Sequence, residues 1–397
     1  MKERIFLSAP GLVCCAGQNK NELYTSCLNG YQGGMVMREF SGTGRKFPTG
    51  HISAELPEVT MPGIPAHVKN SRILRVMNAA LEQIRPAVEK AIAVYGSDNI
   101  GVCLGSCDNG SSFMPGETDH ENYGFRFHSA SFAAEFISRK FGLSGPAFTI
   151  ATVCASGGTA IMRGAELIQA GQCGAVIAGG ADVVTETVFA GFNALEAVSD
   201  RLTNPFSKNR KGINFGEGAA FFLLEPAENS GIELLGAGES ADAHHMTAPG
   251  PDGAGPAKAM NASLLDAGLA SGRIGYVNLH GTGTDLNDKT EFQAMKSVFG
   301  ASFPPAPPAS STKPITGHTL GAAGALEAAI CWMVLHEQKG LPVHCWDGVT
   351  DEAIPFSPIV SSGQETPSIC MSNNFGFGGC NVSLILGRGE RAKRNLS

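Results

Sequence analysis

The chain has 397 residues, 43% hydrophobic and 16% charged, with a formal net charge of -7. That apolar content excludes a disordered chain, and the length predicts two domains or one duplicated fold. The acidic balance and the lack of a Lys/Arg block argue against nucleic-acid binding, and no apolar run is expected to reach the roughly 18 residues of a membrane span.

The opening MKERIFLSAPGLV is too short and interrupted in its apolar part for a signal peptide and reads as a first strand, Ile5 to Ser8. A helical pattern follows over Ser71 to Val88. Short apolar runs at Ile100–Leu104, Ala175–Ala178 and Ala220–Leu224 have the character of strands buried on both faces. After the Glu225-Pro226 break a second opening strand is expected at Ile232–Leu235. Val277–Leu279, a helix over Gly321–Leu335 and a strand at Val382–Leu386 complete the pattern. Phe303 to Ala309 reads as a polyproline-type loop, and Arg388 to Ser397 as a loosely ordered basic tail. The alternation predicts a layered α/β fold, weakly duplicated, with halves 1–230 and 231–397. The 51 glycines show no collagen-like period, which assigns them to turns and close backbone contacts.

Eleven cysteines are scattered, with no C-x-x-C pair; Cys103 and Cys107 lack a second cluster. They form neither a secreted disulfide framework nor a zinc ribbon, so most are expected to be buried small hydrophobes in a reduced, cytoplasmic protein.

Cys154 stands apart from the others. A β-prone run ends at Thr152-Val153, and a helix rich in Ala and Gly is predicted over Ala155 to Ala170. Ala155, Ser156, Gly157 and Gly158 let that helix pack closely. A cysteine on such a corner faces the unpaired amides and dipole of a helix N-terminus, which should lower its pKa and could hold an oxyanion. The other reading is one more buried cysteine. His280 ends the run Tyr276–His280 ahead of Gly281-Thr282-Gly283-Thr284, and His318 sits in a Gly/Thr-rich turn before a helix. Both positions suit a cleft, with the thiol as their partner; the other eight histidines read as structural or surface. Neither Gly281–Thr284 nor Gly376–Gly379 completes a nucleotide-binding pattern.

Taken in order, six motifs resemble the elongating β-ketoacyl-(acyl carrier protein) synthases of the thiolase fold: Val153–Gly157; Asn204 through Arg210 to Ala219; Ser240–Thr247; His280–Thr284; Lys313–Gly324; and Asn373–Gly379. The resemblance covers nearly the whole chain. It implies a thiolase-like fold of two mixed-sheet halves in five α-β-α-β-α layers. It implies that Cys154 accepts an acyl group from an acyl carrier protein, and that His280 and His318 stabilise the enolate left when malonyl-carrier protein loses carbon dioxide. It places Lys313 beside the second histidine, with Glu327 as the buried acid steadying that lysine. Thr247, Thr282, Thr284, Gly376 and Phe377 would line the path of the phosphopantetheine arm. Phe375 would be the gate, its amide and that of Cys154 forming the oxyanion hole. No cofactor of the chain's own is implied, since the arm belongs to the carrier. A homodimer is implied, with a heterodimer of related subunits as an option. Lys69, Arg72 and Arg75 on one helix face, or Lys208 and Lys211, would dock the acidic carrier.

Several residues depart from the family pattern. Thr152-Val153 precedes the cysteine in place of Thr-Ala, and Gly158-Thr159 follows in place of Ala-His. Asn374 replaces Ser before the gate, Gly283 and Asp285 replace Ser and Pro, and Asn287 replaces Gly. They point to an unusual acyl substrate in fatty-acid, polyene or polyketide synthesis by a stand-alone component. The alternatives are a chain-length-factor-like partner subunit, which typically lacks the nucleophile, and a thiolase, for which Cys380 would have to be a second catalytic cysteine.

Overall fold

The computed structural model describes residues 2–107, 110, 125–226, 231–300, 307–356, 363 and 365–388. Most of the proline-rich loop, nearly all of the basic tail and the segment around residue 230 lie outside them.

The first half runs through β1 (Ile5–Leu7), β2 (Gly11–Cys14), α1 (Lys20–Asn29), β3 (Met35–Glu39), β4 (Lys46–Gly50), α2 (Ala66–Lys69), α3 (Arg72–Tyr95) and β5 (Ile100–Gly105). It continues with α4 (Ser131–Phe141), β6 (Ala147–Ile150), α5 (Ser156–Gln169), β7 (Ala175–Asp182), α6 (Glu186–Ala194) and β8 (Gly218–Glu225). The second half holds β9 (Ile232–Ala241), α7 (Ala254–Ala267), β10 (Tyr276–Asn278), α8 (Asp285–Phe299), β11 (Ala309–Ser310), α9 (Lys313–Thr316), α10 (Ala323–Glu337), β12 (Ile369–Phe375) and β13 (Cys380–Arg388).

The pairing shows the duplication directly. In the first half β5 lies parallel to β6 and β7, β7 is antiparallel to β8, and β8 is antiparallel to β1 and β2. In the second half β10 lies parallel to β11 and β12, β12 is antiparallel to β13, and β13 is antiparallel to β9. The two orders, β6-β5-β7-β8-β1 and β11-β10-β12-β13-β9, are the same order twice. They join edge to edge where Ile5 and Phe6 pair with Leu234 and Glu233.

Helices fill three of the five layers. α3 and α4 cover one sheet, α7 and α8 cover the other, and α5 packs on α10 between them. α10 is apolar on every side and buried from Ala323 to Leu335, as a central-layer helix must be. The segment Leu320–Glu337 has the length and hydropathy of a membrane span, against the expectation that no run would; 89% of it is buried, which identifies it as a core helix.

Other boundaries also differ. The β3–β4 hairpin has no counterpart in the expected elements. α3 runs on to Tyr95 through Pro86. β6 stops at Ile150, and a 3₁₀ turn over Val153–Ala155 separates it from α5, which starts at Ser156.

Candidate active site

Cys154 sits in that 3₁₀ turn. Val153 has φ +53°, a left-handed conformation that a β-branched residue adopts only under constraint, at a cost of about 1–3 kcal/mol. Ser156 supplies the constraint: its Oγ donates to Val153 O at 2.5 Å and accepts from Thr152 N at 2.9 Å. Close approach does the rest. A Cβ on Gly157 would lie 2.7 Å from Gly321 O, and one on Gly105 would lie 2.3 Å from the Ser156 carbonyl carbon. The expected tight, buried packing of this helix start is present.

His280 follows β10. Its backbone N–H and that of Gly281 donate to the two carboxylate oxygens of Glu291 on α8, at 2.8 and 2.7 Å. His318 follows α9, and the segment ahead of β8 fixes its backbone: His318 N donates to Asn214 O at 2.7 Å, and Gly216 N donates to His318 O at 2.9 Å. The two imidazoles are nearly perpendicular, with centroids 5.4 Å apart. Cys154, His280 and His318 each bring one donor atom within 4.8 Å of the others, and all three are buried.

Charge and hydrogen bonding define what this trio can do. Burial holds both imidazoles well below their ordinary pKa, with the Lys313 charge acting the same way. Lys313 was expected to orient the second histidine, His318, but its Nζ lies 3.3 Å from Nδ1 of the first, His280, and donates to His280 O; it is Leu320 N that donates to His318 Nδ1, at 3.0 Å. Both Nδ1 atoms accept, so both neutral rings carry their proton on Nε2. The same hydrogen bonding opposes a metal. A cation would need bare Nε2 lone pairs beside a lysine ammonium. The trio is arranged to meet a developing anion instead.

Cys154 corrects one expectation. Burial pushes its thiol up to about 12, while Lys313 and the Phe377 amide pull the other way. Desolvation outweighs the helix N-terminus, so the resting sulfur is a neutral thiol.

Lys313 is anchored by a short ion pair with Glu327, and Asn374 donates a short hydrogen bond to the other oxygen of that carboxylate. Burial raises Glu327 to about 7, against the pull of Lys313 and Asn374.

A cleft of about 410 Å³ lies beside the site, and none of Cys154, His280 and His318 is among its lining residues. Thr247, Thr284, Phe375, Gly376 and Phe377 line it, together with Asn287, Arg210 and Lys211. The Phe375 ring lies 6.1 Å from that of His280 and stands between cleft and trio. Thr282 does not line the cleft; its hydroxyl pairs with that of Thr284 at 3.0 Å. Gly376 N donates to Cys380 O at 2.7 Å, so the neighbouring Phe375 amide faces away from β13. Cys380 pairs in β13 and is not among the three grouped side chains.

The docking candidates separate. Lys208 and Lys211 are exposed, with Lys211 on the cleft wall. Arg72 is committed to buried Glu217 and to Ile52 O, and Arg75 donates to Leu56 O; Lys69 is half-buried in α2.

Sequence reasoning missed four acids and bases. Glu291 carries the His280 loop. Asp288 accepts from Phe206 N at 2.7 Å and Gly283 N at 3.1 Å. Asp182 accepts from Cys107 N at 2.8 Å and Gly321 N at 2.6 Å. Arg210, named only within a motif, bridges Asp285 and Asp351 at 2.8 and 2.7 Å. The available signal was Asp288 and Glu291 early in a helix that follows a glycine-rich turn, where free backbone amides need acceptors.

Residues 67–230 match the N-terminal domain of β-ketoacyl synthases, and residues 232–345 match the C-terminal domain. A 3-oxoacyl-[acyl-carrier-protein] synthase 2 of Coxiella burnetii is 32% identical over 98% of this chain and 99% of its own length. One from Vibrio cholerae is 37% identical over 73% of this chain and 76% of its own. The ketosynthase ApeO of Xenorhabdus doucetiae, solved in complex with its chain length factor ApeC, is 38% identical, with a TM-score of 0.88 over 97% of this chain and 98% of that one. Matched in both halves and along its whole length, the chain belongs to the β-ketoacyl synthase family and is a condensing enzyme of the acyltransferase type.

Proposed function

We propose that the chain takes an acyl group from an acyl carrier protein onto Cys154 and condenses it with malonyl-carrier protein. The observation that carries this reading is the buried trio: a neutral thiol facing two imidazoles that both present Nε2–H.

In the first half-reaction Cys154 Sγ attacks the thioester carbonyl. The tetrahedral oxyanion falls to the amides at Cys154 and Phe377, the two backbone donors that the sulfur faces, in place of the Phe375 amide that the family resemblance implies. The attacking species is the thiolate, so Sγ gives up its proton as it adds; the Lys313 charge and the Phe377 amide favour that ionisation against burial, and the departing arm sulfur takes up the proton, which leaves the transfer neutral overall. In the second, the malonyl thioester loses carbon dioxide and its enolate oxygen accepts from His280 and His318. The enolate carbon attacks the Cys154 thioester. The Cys154 sulfur leaves and takes up one proton, which gives a β-ketoacyl-carrier protein two carbons longer. Lys313 and Glu327 fix the His280 ring. Thr247, Thr284, Gly376 and Phe377 hold the arm, Thr282 orients Thr284, and Phe375 gates the passage. The arm arrives with the carrier, so the chain needs no cofactor of its own.

Lys208 and Lys211 are the docking cations favoured by their exposure, Lys211 also lining the cleft. β6 is an edge strand with Phe148 50% exposed, one short turn from Cys154. That edge suits a second synthase-like subunit continuing the sheet, and the complex formed by the ApeO relative favours a chain-length-factor-like partner over a second copy. The halves 1–230 and 231–397 are the natural units of the repeat. All eleven cysteines are free thiols, in keeping with a reducing compartment.

The test is turnover with malonyl-carrier protein and a panel of acyl-carrier proteins, with and without a co-expressed second subunit. A product two carbons longer supports the reading. No product under either condition overturns it.

A further inference from the structure

Asn374 belongs to β12, directly before Phe375, and it is fully buried. Its Nδ2 donates to Glu327 Oε2, while Glu327 Oε1 accepts from Lys313. Its Oδ1 has no partner. The side chain fits because the first turns of α5 and α10 each place a glycine beneath it. A Cβ at Gly158 would lie 2.8 Å from Asn374 Oδ1, and one at Gly324 would lie 2.6 Å from it. A stranded acceptor in a core is destabilising. A residue that only filled space here would be apolar.

We infer that Asn374 is a positioning residue of the condensation step, its side-chain N–H fixing the buried carboxylate that holds Lys313 against His280, with Gly158 and Gly324 leaving it room. This role rests on the function proposed above.

The surroundings of Glu327 make the effect readable. Lys313 faces it from α9 and Asn374 from β12. Close by, His280 after β10 and His318 after α9 are neutral at pH 7, as are the Cys154 thiol ahead of α5 and the Cys107 thiol after β5. Asp182 at the end of β7 is occupied by the amides of Cys107 and Gly321. An N–H that donates to a carboxylate favours its ionised form, so removing the donor moves protonation to higher pH. Asn374→Asp keeps the shape and, when ionised, replaces the donor with a second negative charge. Asn374→Ala removes both shape and donor.

The measurement is an infrared titration of the protonated-carboxyl band that disappears in Glu327→Gln, made on the wild-type chain and both variants alongside the pH profile of condensation. The expected result is a midpoint raised by about one pH unit or more in each variant, at least as far for Asn374→Asp as for Asn374→Ala. The acid limb of condensation should move with it. Gly158→Ala, which keeps Asn374 but crowds it, should give a smaller shift in the same direction. Midpoints that stay at the wild-type value overturn the inference, as does an Asn374→Asp variant that titrates like wild type. The titration reads Glu327 whether or not the chain condenses, so a wild-type chain without turnover contradicts the proposed function alone.

Discussion

The repeat gives this molecule two corresponding corners. At the first, Val153 at φ +53° opens a 3₁₀ turn over Val153–Ala155 that runs into α5; at the second, Leu320 at φ +54° opens a turn over Leu320–Ala322 that runs into α10. The helices they launch pack on each other in the central layer. The middle residue is Cys154 in one and Gly321 in the other. A Cβ on Gly321 would lie 2.6 Å from Asp182 Oδ2 and 2.8 Å from Cys107 N, so the second corner has no room for a side chain. Its amide is held by a carboxylate, whereas the first corner faces an ammonium and two imidazoles. One backbone device therefore serves two purposes. The first aims a nucleophile. The second ends a strand-to-helix connection that delivers His318 and, one helical turn beyond Gly324, Glu327.

That contrast can be broken experimentally. Cys154→Ala should abolish acyl loading and lower condensation by at least about a thousandfold with the fold retained, as read by product formation and thermal unfolding. Glu327→Gln should cost about a hundredfold in condensation. It should also remove the acid limb of the wild-type profile. That limb is expected near pH 7, because protonation of Glu327 as pH falls through about 7 breaks its pair with Lys313, whereas the histidines titrate well below it. Gly321→Ala should destabilise the chain by about 1–3 kcal/mol, since the new Cβ meets backbone and a bound carboxylate. Unchanged thermal unfolding would contradict the account of the second corner. Val153→Gly should change stability by no more than about 1 kcal/mol, relief of strain offsetting lost packing, while acyl loading slows because the corner no longer fixes Sγ.

The sequence made much of this legible. Buried runs such as Ala175–Ala178 and Val382–Leu386 show as strands because sheets covered on both faces demand continuous apolar residues. Cys154, His280 and His318 were recognisable from ordered motifs, and Lys313 and Glu327 from what those motifs imply. The strain at Val153 was not legible, since nothing local predicts a β-branched residue in the left-handed region. Asp182 was missed because it acts on a backbone amide remote in sequence, reaching Gly321 across the two halves, whereas the local signal for Glu291, a carboxylate in the helix after a glycine-rich turn, was left unread. The raised thiol pKa was missed for a similar reason: helix position is local information, and complete burial is a property of the assembled fold. Asn374 was visible only as a departure, and its meaning needed Gly158 and Gly324 placed beneath it.

The most direct measurement is intact-protein mass spectrometry with peptide mapping after incubation with acyl-carrier proteins, followed by malonyl-carrier protein. The account predicts one acyl adduct, on Cys154 out of eleven free thiols, that leaves as a β-ketoacyl-carrier protein two carbons longer. Acylation of another cysteine, or turnover undiminished in Cys154→Ala, would contradict it.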